Sequence, residues 1–147
     1  MEKTALVVLY KKDNIYSLNA LIGALETNDD LSEIDVFFIR DNNKLINKLK
    51  QLIKSHLNIL LAVSFFTTQI WQIKSLISKI RRKFGNRIII CAGGPHPTGR
   101  PKDTLTLGVD IVIMGEGENI FIQLIQKIHH NGDYSSVPGI SYLNHHG

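Results

Sequence analysis

The stretch Asn58–Gly94, "NILLAVSFFTTQIWQIKSLISKIRRKFGNRIIICAGG", decides the fold. Ile59–Ser64 is a continuous apolar run rich in branched residues, as a strand buried on both faces requires. Ile70, Ile73, Ile77, Ile80 and Phe84 then recur at helical spacing, and Gly85 follows where a helix would stop. A second branched run, Arg87–Cys91, comes next. Strand, helix, strand in this order is a right-handed crossover between parallel strands.

The same alternation extends outward in both directions. Apolar runs at Thr4–Tyr10, Ile34–Ile39 and Asp110–Met114 complete five expected strands. Leu18, Leu21, Ile22 and Leu25 share one helical face, and Leu45, Leu49, Leu52 and Ile53 another. Further helices are expected over Lys102–Leu107 and Glu118–His130, with Asp41 or Asn42, and Thr67, as N-caps. Gly139–Leu143, after Pro138, reads as an edge strand or the start of a hairpin. Five repeats of strand and helix predict an α/β domain: a flavodoxin-like (Rossmann-like), doubly wound, parallel five-stranded sheet of order 2-1-3-4-5. Helices would cover both faces, with a short extra C-terminal strand. Ligands in such folds bind beyond the carboxyl ends of the strands. The working loops are therefore expected at residues 10–14, 64–68, 92–101 and 114–119.

Composition limits the function classes. A chain of 147 residues is one domain by size and buries enough surface to need no staple. One cysteine, Cys91, allows no internal disulfide and predicts a reducing, cytoplasmic setting. The longest apolar run, Ile59–Phe66, is too short to span a bilayer, so no membrane partner is expected. The net charge of +4 comes mainly from Lys44–Lys54 and Lys74–Lys83. Arg81, Arg82 and Lys83 fall at a helix C-terminus, where cations are favoured. No aromatic residues interleave with these cations, which argues for solvated helix faces and against nucleic acid. Trp71 reads as helix packing.

Chemistries common on this fold do not match. The third strand ends "AVSFF", without the aspartate of a phosphoacceptor site. "YKKDNIYS" after the first strand lacks the hydroxyl-rich loop that holds FMN, and no glycine precedes Gly23, which excludes a dinucleotide fingerprint. Gly94 to Gly99 has P-loop glycine spacing, but Arg100-Pro101 replaces Lys-Ser/Thr, and Pro95 and Pro97 have no N–H for phosphate. No cysteine–histidine spacing suits a metal. Cys91 reads as a buried strand-end residue, and His129-His130 and His145-His146 as exposed helix-end and tail residues. No nucleophile–base pair is visible. Ser64 and Thr67 can hold a ligand or cap a helix. His96 is either a loop histidine held by its flanking prolines or a ligand contact. Glu116 and Glu118 either favour a helix N-terminus or bond a ligand or partner domain.

"CAGGPHPTGRPKDTLTLGVDIVIMGEGE", Cys91–Glu118, resembles the N-terminal cobalamin-binding-like domain of radical S-adenosylmethionine proteins. Three pieces in order carry the likeness: Gly93-Gly94-Pro95-His96-Pro97-Thr98, Gly108-Val109-Asp110 and Gly115-Glu116-Gly117-Glu118. "SSVPGISY", Ser135–Tyr142, is similar to that family's segment leading toward the radical domain. The resemblance implies a corrinoid at the C-terminal edge of the sheet, with its nucleotide tail against Ser64, Phe65 and Thr67. It implies contacts from Gly93, Gly94, His96, Gly115, Glu116, Gly117 and Glu118. It also implies a partner barrel carrying a [4Fe–4S] cluster and S-adenosylmethionine. The chain itself has no Cys-x3-Cys-x2-Cys, so cluster and radical chemistry would belong to that downstream domain. Residues 1–134 would form the domain and 135–147 the start of the connection, which makes the chain a fragment of a longer protein. No Asp-x-His-x-x-Gly follows the first strand, so a lower cobalt ligand from a histidine of this domain is not expected. The alternative role is a non-binding domain that lids or docks the barrel. Replacing Gly94 by Val is expected to abolish corrinoid binding and leave the fold intact.

Overall fold

The computed structural model describes residues 3–10, 23–27, 29–65, 67–114, 118–130 and 133–142. Five parallel strands form its centre: β1 (Thr4–Leu9), β2 (Asp35–Ile39), β3 (Asn58–Ser64), β4 (Ile89–Gly93) and β5 (Ile111–Ile113). A sixth, β6 (Ile140–Tyr142), pairs antiparallel with β5, giving the order β2-β1-β3-β4-β5-β6. The expected order is observed, and the extra strand lies at the edge.

Helices α1 (described over residues 23–26), α2 (Asn42–Leu52), α3 (Ile70–Phe84), α4 (Pro95–Gly99), α5 (Pro101–Leu105) and α6 (Glu118–His129) connect the strands. Side chains alternate across a strand, and the two cores divide accordingly. Ala5, Val7, Leu9, Leu61 and Val63 pack under α2 and α3. Leu6, Val8, Leu60, Ala62 and Cys91 pack under α6 on the other face, with Ala24 and Leu25 of α1 at its margin. The Ile73, Ile77 and Ile80 stripe is buried as the periodicity requires. Asp41 caps α2, its side chain accepting from Asn43 N.

Several details differ from the sequence reading. Residues 92–101 are not an open loop. Pro95 and Pro101 each begin a helical turn, since a fixed φ suits the first helical position, and the non-helical Arg100 separates the two. The second turn therefore spans Pro101–Leu105 and not Lys102–Leu107. Thr67 does not cap α3. It opens a 3-10 turn, Thr67–Gln69, and Gln69 precedes the helix with no side-chain cap bond. His129 is not an exposed helix-end residue; it is half-buried, and its Nδ1 lies 2.9 Å from the Thr4 hydroxyl.

Arg81 is the largest departure. It is not a solvated cation at the end of α3. Its guanidinium donates to the carbonyls of Gly108, Gly85 and Ile88 and pairs with Asp110. Asp110 in turn accepts from Ile90 N and donates its own N–H to Ile90 O. One side chain thus joins the end of α3 to the starts of β4 and β5, at the edge of the sheet opposite the carboxyl ends. Arg87 serves the same edge, donating to the carbonyls of Ile53, His56 and Leu57.

Candidate functional site

The carboxyl ends of β1, β3 and β4 meet where the strand order reverses, between β1 and β3. At this position in doubly wound sheets the connections leave in opposite directions and open a crevice. Ser64 and Gly93 are paired across β3 and β4 at its floor. Gly94 follows with φ +105°, a conformation that strongly favours glycine. It turns the chain directly from β4 into α4, where Thr98 N closes back on Gly94 O.

The two glycines do different jobs. A Cβ on Gly94 would lie 2.7 Å from Ser64 Oγ and 3.3 Å from Phe65 O. Gly94 is therefore packed against the neighbouring strand end, and its smallness serves the joint between β3 and β4. A Cβ on Gly93 would meet only Ile113 O, at 3.9 Å. Gly93 has an unremarkable φ and leaves room beside it. Of the pair, Gly93 is the position where a missing side chain opens space at the sheet edge.

Ser64, Phe65, Gly93 and Gly94 are brought together as expected, but Phe65 faces inward. It is 1% exposed, in the core beneath α2 and α3, because the apolar run of β3 carries its alternation one residue past the strand. Only its backbone reaches the crevice. Thr67 is exposed at the start of its 3-10 turn. Gly115, Glu116 and Gly117 lie outside the described residues, as do the side chains of His96 and Glu118. At the outer end of the edge, Arg40 stacks its guanidinium over the Tyr10 ring, 5.5 Å from the centroid. Arg40 was not singled out from sequence. Its position one residue beyond a strand is the signal that could have found it.

Among the described residues, no three His, Cys, Asp or Glu side chains come together as a metal site. Cys91 sits mid-strand, not at the edge, and is 2% exposed. Burial pushes its thiol up to about 12 from the ordinary 9.0, and the Asp110 carboxylate adds to the rise. A thiol so placed is neither a nucleophile nor a ligand at neutral pH. The folded chain holds this proton more tightly than the unfolded chain does. Stability should therefore fall as pH rises from 9.0 toward about 12. Cys91→Ala should flatten that alkaline limb in chemical-denaturation curves. In the native protein at pH 8, a disulfide reagent should label Cys91 only at the rate of unfolding.

Among the described residues no helix is long and apolar enough to cross a membrane. The chain is 40% identical over 57 residues to 2-(S-pantetheinyl)-carbapenam-3-carboxylate methyltransferase of Streptantibioticus cattleyicolor, covering 37% of this chain and 8% of that one. It is 30% identical over 84 residues to the cobalamin-dependent radical SAM methyltransferase TokK of Streptomyces tokunonensis, covering 55% and 12%. The chain thus aligns with only about a tenth of the length of these relatives. The radical S-adenosylmethionine methyltransferase TsrM from Kitasatospora setae shares the fold. Its TM-score is 0.73 at 21% identity, covering 99% of this chain and 29% of that one. The model of the B12 binding domain matches residues 17–125, and the chain belongs to that family.

Proposed function

We propose that this domain holds a corrinoid over the carboxyl ends of β1, β3 and β4, as the cofactor-binding module of a radical S-adenosylmethionine methyltransferase. The observation that carries the reading is the room left at Gly93, at the carboxyl end of β4, one strand from the point between β1 and β3 where the sheet's connections diverge. Ser64 would offer its hydroxyl to the cofactor's nucleotide tail, and the backbone at Phe65 and Gly93 would lie along it. Gly94 contributes by holding β3 and β4 together under the tail. Thr67, exposed at the start of its 3-10 turn, would contact the same tail. His96, Gly115, Glu116, Gly117 and Glu118 would add contacts to the corrinoid or to the partner barrel. When bound, a corrinoid supplies a cobalt centre that carries the transferred group. The chain's own residues would do the holding.

The [4Fe–4S] cluster and S-adenosylmethionine belong, on this reading, to a downstream barrel reached through residues 135–147. A single, protected thiol fits a cytoplasmic enzyme. The test is Gly93→Val. Valine suits a strand and its Cβ meets nothing closer than 3.9 Å, so the melting temperature should hold. Equilibrium dialysis against hydroxocobalamin should show affinity lowered by about tenfold or more, the scale of a steric block in a close-packed site. Wild-type affinity in a folded Gly93→Val protein would contradict the proposed seat.

A further inference from the structure

A second surface lies on the flank of the domain, between α2 and α3. Asn42, Asn43, Ile46, Trp71, Gln72, Ser75, Leu76 and Lys79 line a groove of about 510 Å³. Trp71 stands at its rim and is 75% exposed, which corrects the expectation that this residue is buried in helix packing. The reason is register: Ile70 and Ile73 take the inward positions of α3 and turn Trp71 out. The Lys74 ammonium lies 5.6 Å from the Trp71 ring centroid.

The charge around this groove is one-sided. No aspartate or glutamate occurs between Asp41 and Asp103, so Asp41, whose carboxylate is engaged in capping α2, is the one acid at either helix. Lys44, Lys50, Lys74, Lys79, Arg82 and Lys83 are all exposed. Among the described residues, none of them forms an ion pair. An exposed tryptophan beside an apolar floor of Ile46 and Leu76, with Lys79 in the lining and Lys74 against the ring, has the composition of an interface anchor.

We infer that the α2–α3 groove docks an acidic polypeptide segment, with Trp71 as its apolar anchor and Lys74 and Lys79 pairing with carboxylates. Charge complementarity sets the sign of the partner, and the groove's lining sets its class. Asn42, Asn43, Gln72 and Ser75 can each donate and accept, as a peptide backbone demands. The cations nearest the groove are lysines, which act as point charges and lack the fork geometry that recognises phosphate bidentately. One aromatic ring makes no stacking track for successive bases. The surface stands independently of the corrinoid crevice, whose named residues it does not share.

Trp71 is the chain's only tryptophan, so its fluorescence reads this groove directly. The probe is a synthetic ten-residue peptide of alternating glutamate and leucine, titrated into the full chain. A saturable blue shift is expected, weakening as salt is raised. The Lys74→Glu/Lys79→Glu double variant, checked for an unchanged melting temperature, should bind about tenfold more weakly or worse. Poly-uridylate and the chain alone at rising concentration are the parallel arms. No shift with the peptide, or an equal shift in the double variant, would overturn the proposal. A shift with poly-uridylate alone would reassign the surface to nucleic acid, and one that needs only more of the chain itself would reassign it to self-association. Either would overturn it too.

Discussion

Gly94→Val is expected to unfold the domain or lower its melting temperature by about 10 °C or more, before any ligand is considered. Two costs add at this position. Holding a branched residue at φ +105° costs roughly 1–3 kcal/mol. Forcing its Cβ to within 2.7 Å of Ser64 Oγ, with Phe65 backbone behind, adds overpacking of about the same size. Rotating Ser64 Oγ away would not relieve the site, because the Phe65 backbone O and N remain at 3.3 and 3.4 Å. For a chain of this length each kcal/mol shifts the melting temperature by about 2–4 °C. Sequence reasoning expected the opposite, an intact fold that fails to bind. Thermal denaturation followed by circular dichroism separates the two: a native melting temperature in Gly94→Val would contradict the packing described here. Gly93→Val, one residue earlier, is the contrasting control that should remain folded.

Arg81→Met is expected to cost about 2–4 kcal/mol of stability. The substitution keeps the aliphatic stem against α3 and removes every donor. Three carbonyls, of Gly85, Ile88 and Gly108, lose their partner, and Asp110 is left as an unpaired carboxylate. Both side chains of the pair are more buried than exposed, at 20% and 30% accessibility, so water repays only part of the loss. Breaking such a pair from one side is costlier than removing both. Asp110→Asn should therefore be milder than Arg81→Met, since its remaining carbonyl oxygen still accepts from Ile90 N. Urea denaturation of the two single variants and the double checks this. Equal, small losses of a few tenths of a kcal/mol would show that Arg81 is a surface cation after all.

The contrast between Arg81 and its neighbours explains what the sequence could convey. Periodicity exposed the sheet and its helices, because Ile73, Ile77 and Ile80 or Ala5, Val7 and Leu9 each repeat a burial pattern that only one element satisfies. A charged residue in the last turn of α3 repeats nothing. Arg81, Arg82 and Lys83 look alike in the sequence, and only the return of Gly108 and Asp110 from a later crossover distinguishes the first. Phe65 shows a related limit: an apolar residue after an apolar strand carries no mark that its side chain turns into the core while its backbone stays at the strand end. Trp71 was read as packing because tryptophan usually is, whereas the register of α3 is set by its isoleucines. In the crevice, the glycine pair was legible as a close approach, but which glycine faces the neighbouring strand and which leaves room depends on φ at Gly94, and a single sequence does not give that angle.

The central claim is that this chain seats a corrinoid at its sheet edge. Calorimetric titration of the folded chain with hydroxocobalamin, with the absorbance spectrum recorded at saturation, tests it most directly. Saturable binding of one corrinoid per chain, with a spectrum lacking the signature of a protein histidine on cobalt, is the predicted result. A chain that melts cooperatively yet takes up no hydroxocobalamin, or one whose bound cobalt carries a histidine ligand, would contradict the account.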